Sequence, residues 1–233
     1  MNETAKKLLN FVPPPAPDMR IIDAVWARLE QLDPDRHAEP IFKAVRDADQ
    51  VWDYLAIGPF SDLDAYREWQ VQTATSSDPR FYAIVDPWTE QAAGVASFMR
   101  INRTNGVIEI GNIMLSPALQ RSRTGSAALM AMIRWAFETG YRRVEWKCNA
   151  QNAPSRRAAL RFGFRFEGEF RQHMIVKGSN RDTAWFSIID GEWPALDAAY
   201  RQWLEPANFD ADGSQRHSLS SLTAQALPGR KDG

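Results

Sequence analysis

Residues 116–164, SPALQRSRTGSAALMAMIRWAFETGYRRVEWKCNAQNAPSRRAALRFGF, decide the fold. Ser116-Pro117 opens a turn, and a basic loop with one glycine, Gln120-Arg121-Ser122-Arg123-Thr124-Gly125, follows. Apolar residues then recur at Leu129, Met132, Ile133, Ala136 and Phe137, the spacing of one face of a long helix. Gly140 stops that helix, with Arg142 and Arg143 just beyond it. Residues 144–148 are a short β-rich run, and Asn152-Ala153-Pro154-Ser155 opens a second helix ending at Gly163-Phe164. Unpaired amides and the helix dipole both favour an anion at the start of the long helix. Arg121 and Arg123 add charge there, although many basic loops before helices are plain surface turns.

Outward from this stretch the chain reads as follows. Upstream, residues 81–85, 92–101 and 107–115 alternate as strands, parted by Asp86-Pro87 and by Asn105-Gly106, a strong hairpin signal. Before them, residues 25–32 read as a strand with Val25, Ala27 and Leu29 on one side. Pro34 starts a helix to about Asp47, and Ser61 caps another through Trp69 and Val71 in a Ser-Asp-Leu-Asp box. Downstream, residues 164–176 and 183–189 flank Lys177-Gly178-Ser179-Asn180 as a second hairpin, and residues 193–204 form an amphipathic helix. Residues 1–19, with Pro13-Pro14-Pro15-Ala16-Pro17, read as an extension, 20–205 as the domain, and 206–233 as a mobile Ser/Ala/Gln-rich tail.

Composition narrows the function classes. A chain of 233 residues with 44% apolar and 24% charged residues suits one soluble globular domain with extensions. A net charge of −1 gives no electrostatic case for nucleic acid. The single cysteine, Cys148, excludes an internal disulfide and fits a reducing cytoplasm. No apolar run approaches the roughly 20 residues of a membrane span, and the first ten residues show no secretory signal pattern. His37, His173 and His217 are scattered without metal-ligand spacing, so no metal is expected.

The two halves of the 116–164 stretch together resemble the GCN5-related N-acetyltransferase (GNAT) superfamily, in particular its ribosomal-protein N-terminal acetyltransferase branch. The superfamily's acyl-CoA loop reads Gln/Arg-x-x-Gly-x-Gly/Ala; Gln120 and Gly125 match its ends, while Arg123 replaces the first glycine. The branch's Asn-x-x-Ser, followed by a helix ending Gly-Phe, is matched by Asn152, Ser155, Gly163 and Phe164. The resemblance implies an α/β (α+β) fold, a mixed and mainly antiparallel twisted sheet with helices on both faces. It implies acetyl-CoA as co-substrate and a primary amine as acceptor, and it is compatible with a homodimer.

It also implies site roles. The cofactor would lie on the loop Gln120, Arg121, Arg123, Thr124, Gly125 and Ser126, and on the backbone of the preceding strand at Met114 and Leu115. Asn152 would hold the pantetheine amides or the following turn. Ser155 would protonate the departing thiolate; many relatives carry a tyrosine four residues later, where Ala159 stands here. An N-cap role is the alternative for Ser155. The branch's glutamate falls on Met174, which accepts no proton. Glu109, read as an exposed strand residue, is one substitute base and His173 another, although alternation turns His173 away from Met174's face. With neither, an α-amine of pKa ~8 is already partly neutral. A non-catalytic acyl-CoA-binding module is the competing reading.

Overall fold

The computed structural model describes residues 8 and 10–229. Eight strands form one sheet: β1 (Ile21–Ala24), β2 (Ala27–Gln31), β3 (Arg80–Val85), β4 (Ala92–Asn102), β5 (Val107–Leu115), β6 (Arg143–Asn149), β7 (Arg165–Val176) and β8 (Ser179–Ile189). Their spatial order is β1-β2-β3-β4-β5-β6-β8-β7, and every neighbouring pair is antiparallel except β5 and β6. The mixed sheet is therefore as expected. The Asn105-Gly106 signal is met by a 3₁₀ turn that Gly106 closes at a φ of 63°, a conformation glycine adopts without a Cβ clash.

Helices cover both faces. On one side lie α1 (Pro34–Val45) and α2 (Leu63–Ala74), packed on a core that includes Ile41, Trp52, Tyr66, Phe81, Val95 and Met114. On the other lie α3 (Arg123–Glu138), α4 (Ala153–Arg161), α5 (Trp193–Leu204) and α6 (Leu219–Ala226). The apolar stripe of α3 read in the sequence is buried there: Leu129, Met132, Ile133, Ala136 and Phe137 pack with Ile108, Ile110 and Val144.

Four local expectations change. The 25–32 strand is the second arm of a hairpin, with Val25 exposed in its turn; β1 was hidden by its half-exposed, non-alternating IIDA. Asp62, not Ser61, caps α2, accepting from the Ala65 N–H at 2.9 Å. The proline-rich segment is strapped to the sheet's end: the Pro14 and Pro15 carbonyls accept from Arg103 Nε (2.7 Å) and the Tyr141 hydroxyl (2.9 Å). The stretch from 206 packs rather than trailing away. It holds a bridge between Phe209 and Gln215, and Ser218 caps α6, whose Leu219 and Leu222 are buried. Its polar composition masked one short amphipathic helix; residues 230–233 lie outside the described residues.

Candidate active site

The basic loop is shorter than the sequence suggests. Ser122 is the N-cap of α3, and its hydroxyl oxygen accepts from the Gly125 N–H at 2.9 Å, so Arg123, Thr124, Gly125 and Ser126 form the first helical turn. Arg121, at a φ of 58°, takes the left-handed position just before it. The loop folds back on itself through the Leu119 and Gln120 N–H groups, which both donate to the Ser116 carbonyl. The Gln120 side chain latches it to the Leu115 carbonyl at 3.0 Å. Among the described residues, the N–H groups of Arg121, Arg123 and Thr124 donate to no acceptor. Three orphan donors at a helix start fit the oxygens of a phosphate. Glycine is needed at 125 because a Cβ there would run into the Leu119 carbonyl oxygen.

The Arg123 side chain is not at the loop, and an arginine the sequence did not single out stands beside the first turn of α3. The Arg123 guanidinium lies between the rings of Trp26 (4.3 Å) and Phe209 (4.5 Å), so its side chain braces the helix start while its N–H stays free. Arg161, which no motif marks, sends Nη1 to Ser126 Oγ at 3.0 Å and has no carboxylate partner among the described residues. Burial pushes its guanidinium pKa down, the mark of a cation kept from water without a counter-ion. The contact joins residues 35 apart in the chain, which is why no local pattern announces it. Exposed Arg157 shares a hollow of about 450 Å³ with Arg161.

Beside this cradle the sheet opens. Parallel pairing covers Val107↔Arg143, Ile108↔Val144 and Glu109↔Glu145 and then ends, although β5 runs on to Leu115 and β6 to Asn149. A register slip against β4 marks the parting, with Asn112 at a φ of 49° and its amide donating to Ser97 Oγ. Beyond it, the Met114 side chain is in the α1/α2 core, so Met114 can offer only backbone to a ligand, while the half-buried Leu115 side chain packs on the α3 side. Across the gap, Asn152 is the N-cap of α4: its Oδ1 accepts from the Ser155 N–H at 3.0 Å. Ser155 is therefore not the cap. Its hydroxyl oxygen accepts from Trp146 Nε1 at 3.0 Å, which leaves the hydroxyl proton to donate elsewhere. The buried Cys148 thiol is next to it; burial pushes that thiol's pKa up and the Ser155 contact partly offsets it.

The α1/α2 face of β5, β6, β8 and β7 carries a chain of ion pairs. Glu109 is buried, contrary to its reading as an exposed residue; its carboxylate takes Arg100 Nη1 at 2.8 Å and Lys147 Nζ at 2.9 Å. Lys147 also meets Glu145 at 2.6 Å and stands 3.9 Å from the centre of the Trp185 ring. Arg143 links Glu145 to Glu167, whose carboxyl it holds below the usual range. Both Glu109 oxygens face cations, Oε2 two of them, so the carboxylate is held in a buried ion-pair network. His173 is also not where alternation put it. A bulge in β7, with Gln172 at a φ of 51°, turns the ring toward β8, where Nδ1 lies 3.0 Å from Thr183 Oγ1. An open hollow of about 770 Å³ lies at that bulge, lined by Phe170, His173, Asn180 and Asp182 among others.

The acetyltransferase (GNAT) domain family matches residues 27–165. The crystal structure of a GCN5-related N-acetyltransferase from Brucella melitensis superposes with a TM-score of 0.90 at 45% identity, covering 93% of this chain and 99% of that one. An uncharacterised N-acetyltransferase of Bacillus licheniformis is 27% identical over 62% of this chain and 83% of its own. The ribosomal-protein-serine acetyltransferase of Escherichia coli is 34% identical over 44% of this chain and 58% of its own.

Proposed function

The chain belongs to the GNAT acetyltransferase family and is an N-acetyltransferase, and from that premise we propose that it moves the acetyl group of acetyl-CoA to a primary amine, on a protein N-terminus or a small aminoacyl-type metabolite, in the cytoplasm. The observation that carries the reading is the pairing of three orphan N–H groups at the start of α3 with the parting of β5 from β6 beside it. Acetyl-CoA, when bound, supplies an acetyl group activated as a thioester. The N–H groups of Arg121, Arg123 and Thr124, with Arg161 behind them, hold the pyrophosphate. The β5 backbone at Met114 and Leu115, free of β6, and the Asn152 amide hold the arm that leads to the acetyl group. Ser155, kept as an acceptor by Trp146, gives its proton to the sulfur as the C–S bond breaks and the new N–C bond forms.

The amine's proton goes to water, and water returns one to the Ser155 oxygen. The buried carboxylates on this face, Glu109 and Glu145, are engaged by cations, and Met174 offers none. A second reading uses His173 as base, favoured by the bulge that turns its ring toward Thr183. The two differ in pH profile. Without a base the rising limb follows each acceptor's own amine titration; with His173 it stays at one pH for all acceptors and vanishes in His173→Gln.

The cradle is tested by Arg123→Pro against Arg123→Ala. Arg123 is the first helical residue and Ser122 before it is extended (φ −87°, ψ 162°), so proline fits. Both variants lose the guanidinium, and only proline loses the N–H. A hydrogen bond to a charged group is worth roughly 1.5–3 kcal/mol, so proline should bind acetyl-CoA at least about tenfold more weakly than alanine by calorimetry. Equal affinities would place the pyrophosphate elsewhere.

A further inference from the structure

Arg181, on β8, is a half-buried cation with no hydrogen bond or ion pair among the described residues. Its Nε is buried and unpartnered, while its terminal nitrogens, likewise unbonded, keep contact with solvent. The charges that reach it are already spoken for: Arg100 is matched by Glu109, which Lys147 also holds. The neighbouring Asp182 accepts instead from the Gln172 N–H and Asn180 Nδ2. Directly across the ladder, on the same face, stands Met174, which offers no charge. Burial pushes the guanidinium pKa down, the nearby Arg100 adds to that push, and Cys148 and Glu109 oppose it.

Its place is at the gap. Two residues along β8, Thr183 pairs with Asn149 at the end of β6, and the Ala150 N–H donates to the Asp182 carbonyl. Arg181 also lies near Cys148 and the Glu109 carboxylate, and Cys148 is the neighbour of Ser155. A half-buried, fork-shaped cation with an unpartnered Nε and no counter-ion among the described residues is completed by a planar anion. We propose that the acceptor amine belongs to a small molecule that also bears a carboxylate, and that Arg181 binds that carboxylate in the place opposite it which Met174 leaves uncharged. This deepens the transferase reading and rests on it.

The test uses the full chain with saturating acetyl-CoA and a series of aminocarboxylic acids of increasing amine-to-carboxylate spacing, each paired with its carboxamide. Free CoA thiol is the readout, with thermal shift for the same ligands and calorimetry for acetyl-CoA. At one spacing the acid should exceed its amide by about 10- to 100-fold in kcat/KM, the worth of one charge-assisted pair. Arg181→Gln should erase that preference while acetyl-CoA affinity holds. Met174→Glu, which sets a protein carboxylate opposite Arg181, should erase it too and raise the Tm. Acid and amide turned over equally at every spacing, or a preference that survives Arg181→Gln, overturns the proposal and leaves acetyl transfer intact. So does a series in which no acid is turned over or shifts the Tm of the acetyl-CoA complex. Acetyl-CoA affinity that falls with Arg181→Gln would reassign the residue to the co-substrate. Failure of wild-type protein to bind acetyl-CoA defeats the underlying transferase reading instead.

Discussion

Replacing Glu109 with glutamine separates a structural carboxylate from a catalytic one. The side chains of Glu109 and Lys147 are 3% and 5% exposed, so their contact at 2.9 Å is a buried ion pair. Removing one partner of such a pair costs about 3–5 kcal/mol, because the other charge is left in a poor solvent. Here Lys147 keeps Glu145 at 2.6 Å, which retains a counter-ion. The Arg100 side chain is 44% exposed, so losing its half of the contact adds less than about 1 kcal/mol. The net expectation is a loss near the lower end of the buried-pair range, about 3 kcal/mol. For a chain of this length that lowers the Tm by roughly 6–12 °C. Activity per folded molecule should fall less than about tenfold, against the 10²–10⁴-fold of a lost general base. Scanning calorimetry and thiol release on the same preparation read both quantities. An unchanged Tm with a hundredfold loss of kcat would refute the reasoning and restore Glu109 as the base.

Two further outcomes follow from the geometry. Ser155→Ala should lower kcat by about 10²-fold with little change in the KM for acetyl-CoA; the accompanying stability loss, from the orphaned Trp146 N–H, should be only about 1 kcal/mol, and a loss of Tm without loss of kcat would make the serine structural. His37 sets an acid limit: its Nδ1 accepts from the Asp33 N–H at 3.0 Å, which leaves Nε2 to donate to Glu30, and burial holds the ring's pKa below its usual ~6.5 while Glu30 opposes. Because the unfolded chain takes up that proton first, the His37 contribution is complete above pH ~6.5 and is lost as pH falls from there through the depressed folded value; Tm measured across that window should slope downward in the wild type and lie flatter in His37→Gln.

Much of this architecture is written locally. The α3 stripe, the three strands of the meander and the amphipathic run of α5 rest on periodicities within one element, and each is buried or paired as its pattern implies. What the sequence withholds are the relations between elements. The Ser122 cap that shortens the loop competes with equally plausible neighbours, and only the backbone decides among them. Glu109 reads as a polar strand position because its partners, Arg100 and Lys147, come from two other strands. Alternation failed for His173 because a bulge changes parity, and Gln172 carries no glycine or proline to announce one. Arg161 and Arg181 look like ordinary surface arginines; what distinguishes them is burial without a counter-ion among the described residues, a property of packing alone.

The central claim is most directly tested by following both products at once. Purified protein is mixed with acetyl-CoA carrying an isotopic label in the acetyl group and with a set of primary amines. Free thiol and labelled N-acetyl product are then measured in the same samples. The account predicts that the two appear in equal amounts with at least one amine, and that Ser155→Ala slows them together. Acetyl-CoA bound at the start of α3 with neither product formed from any amine would contradict it, and would leave an acyl-CoA-binding module in place of a transferase.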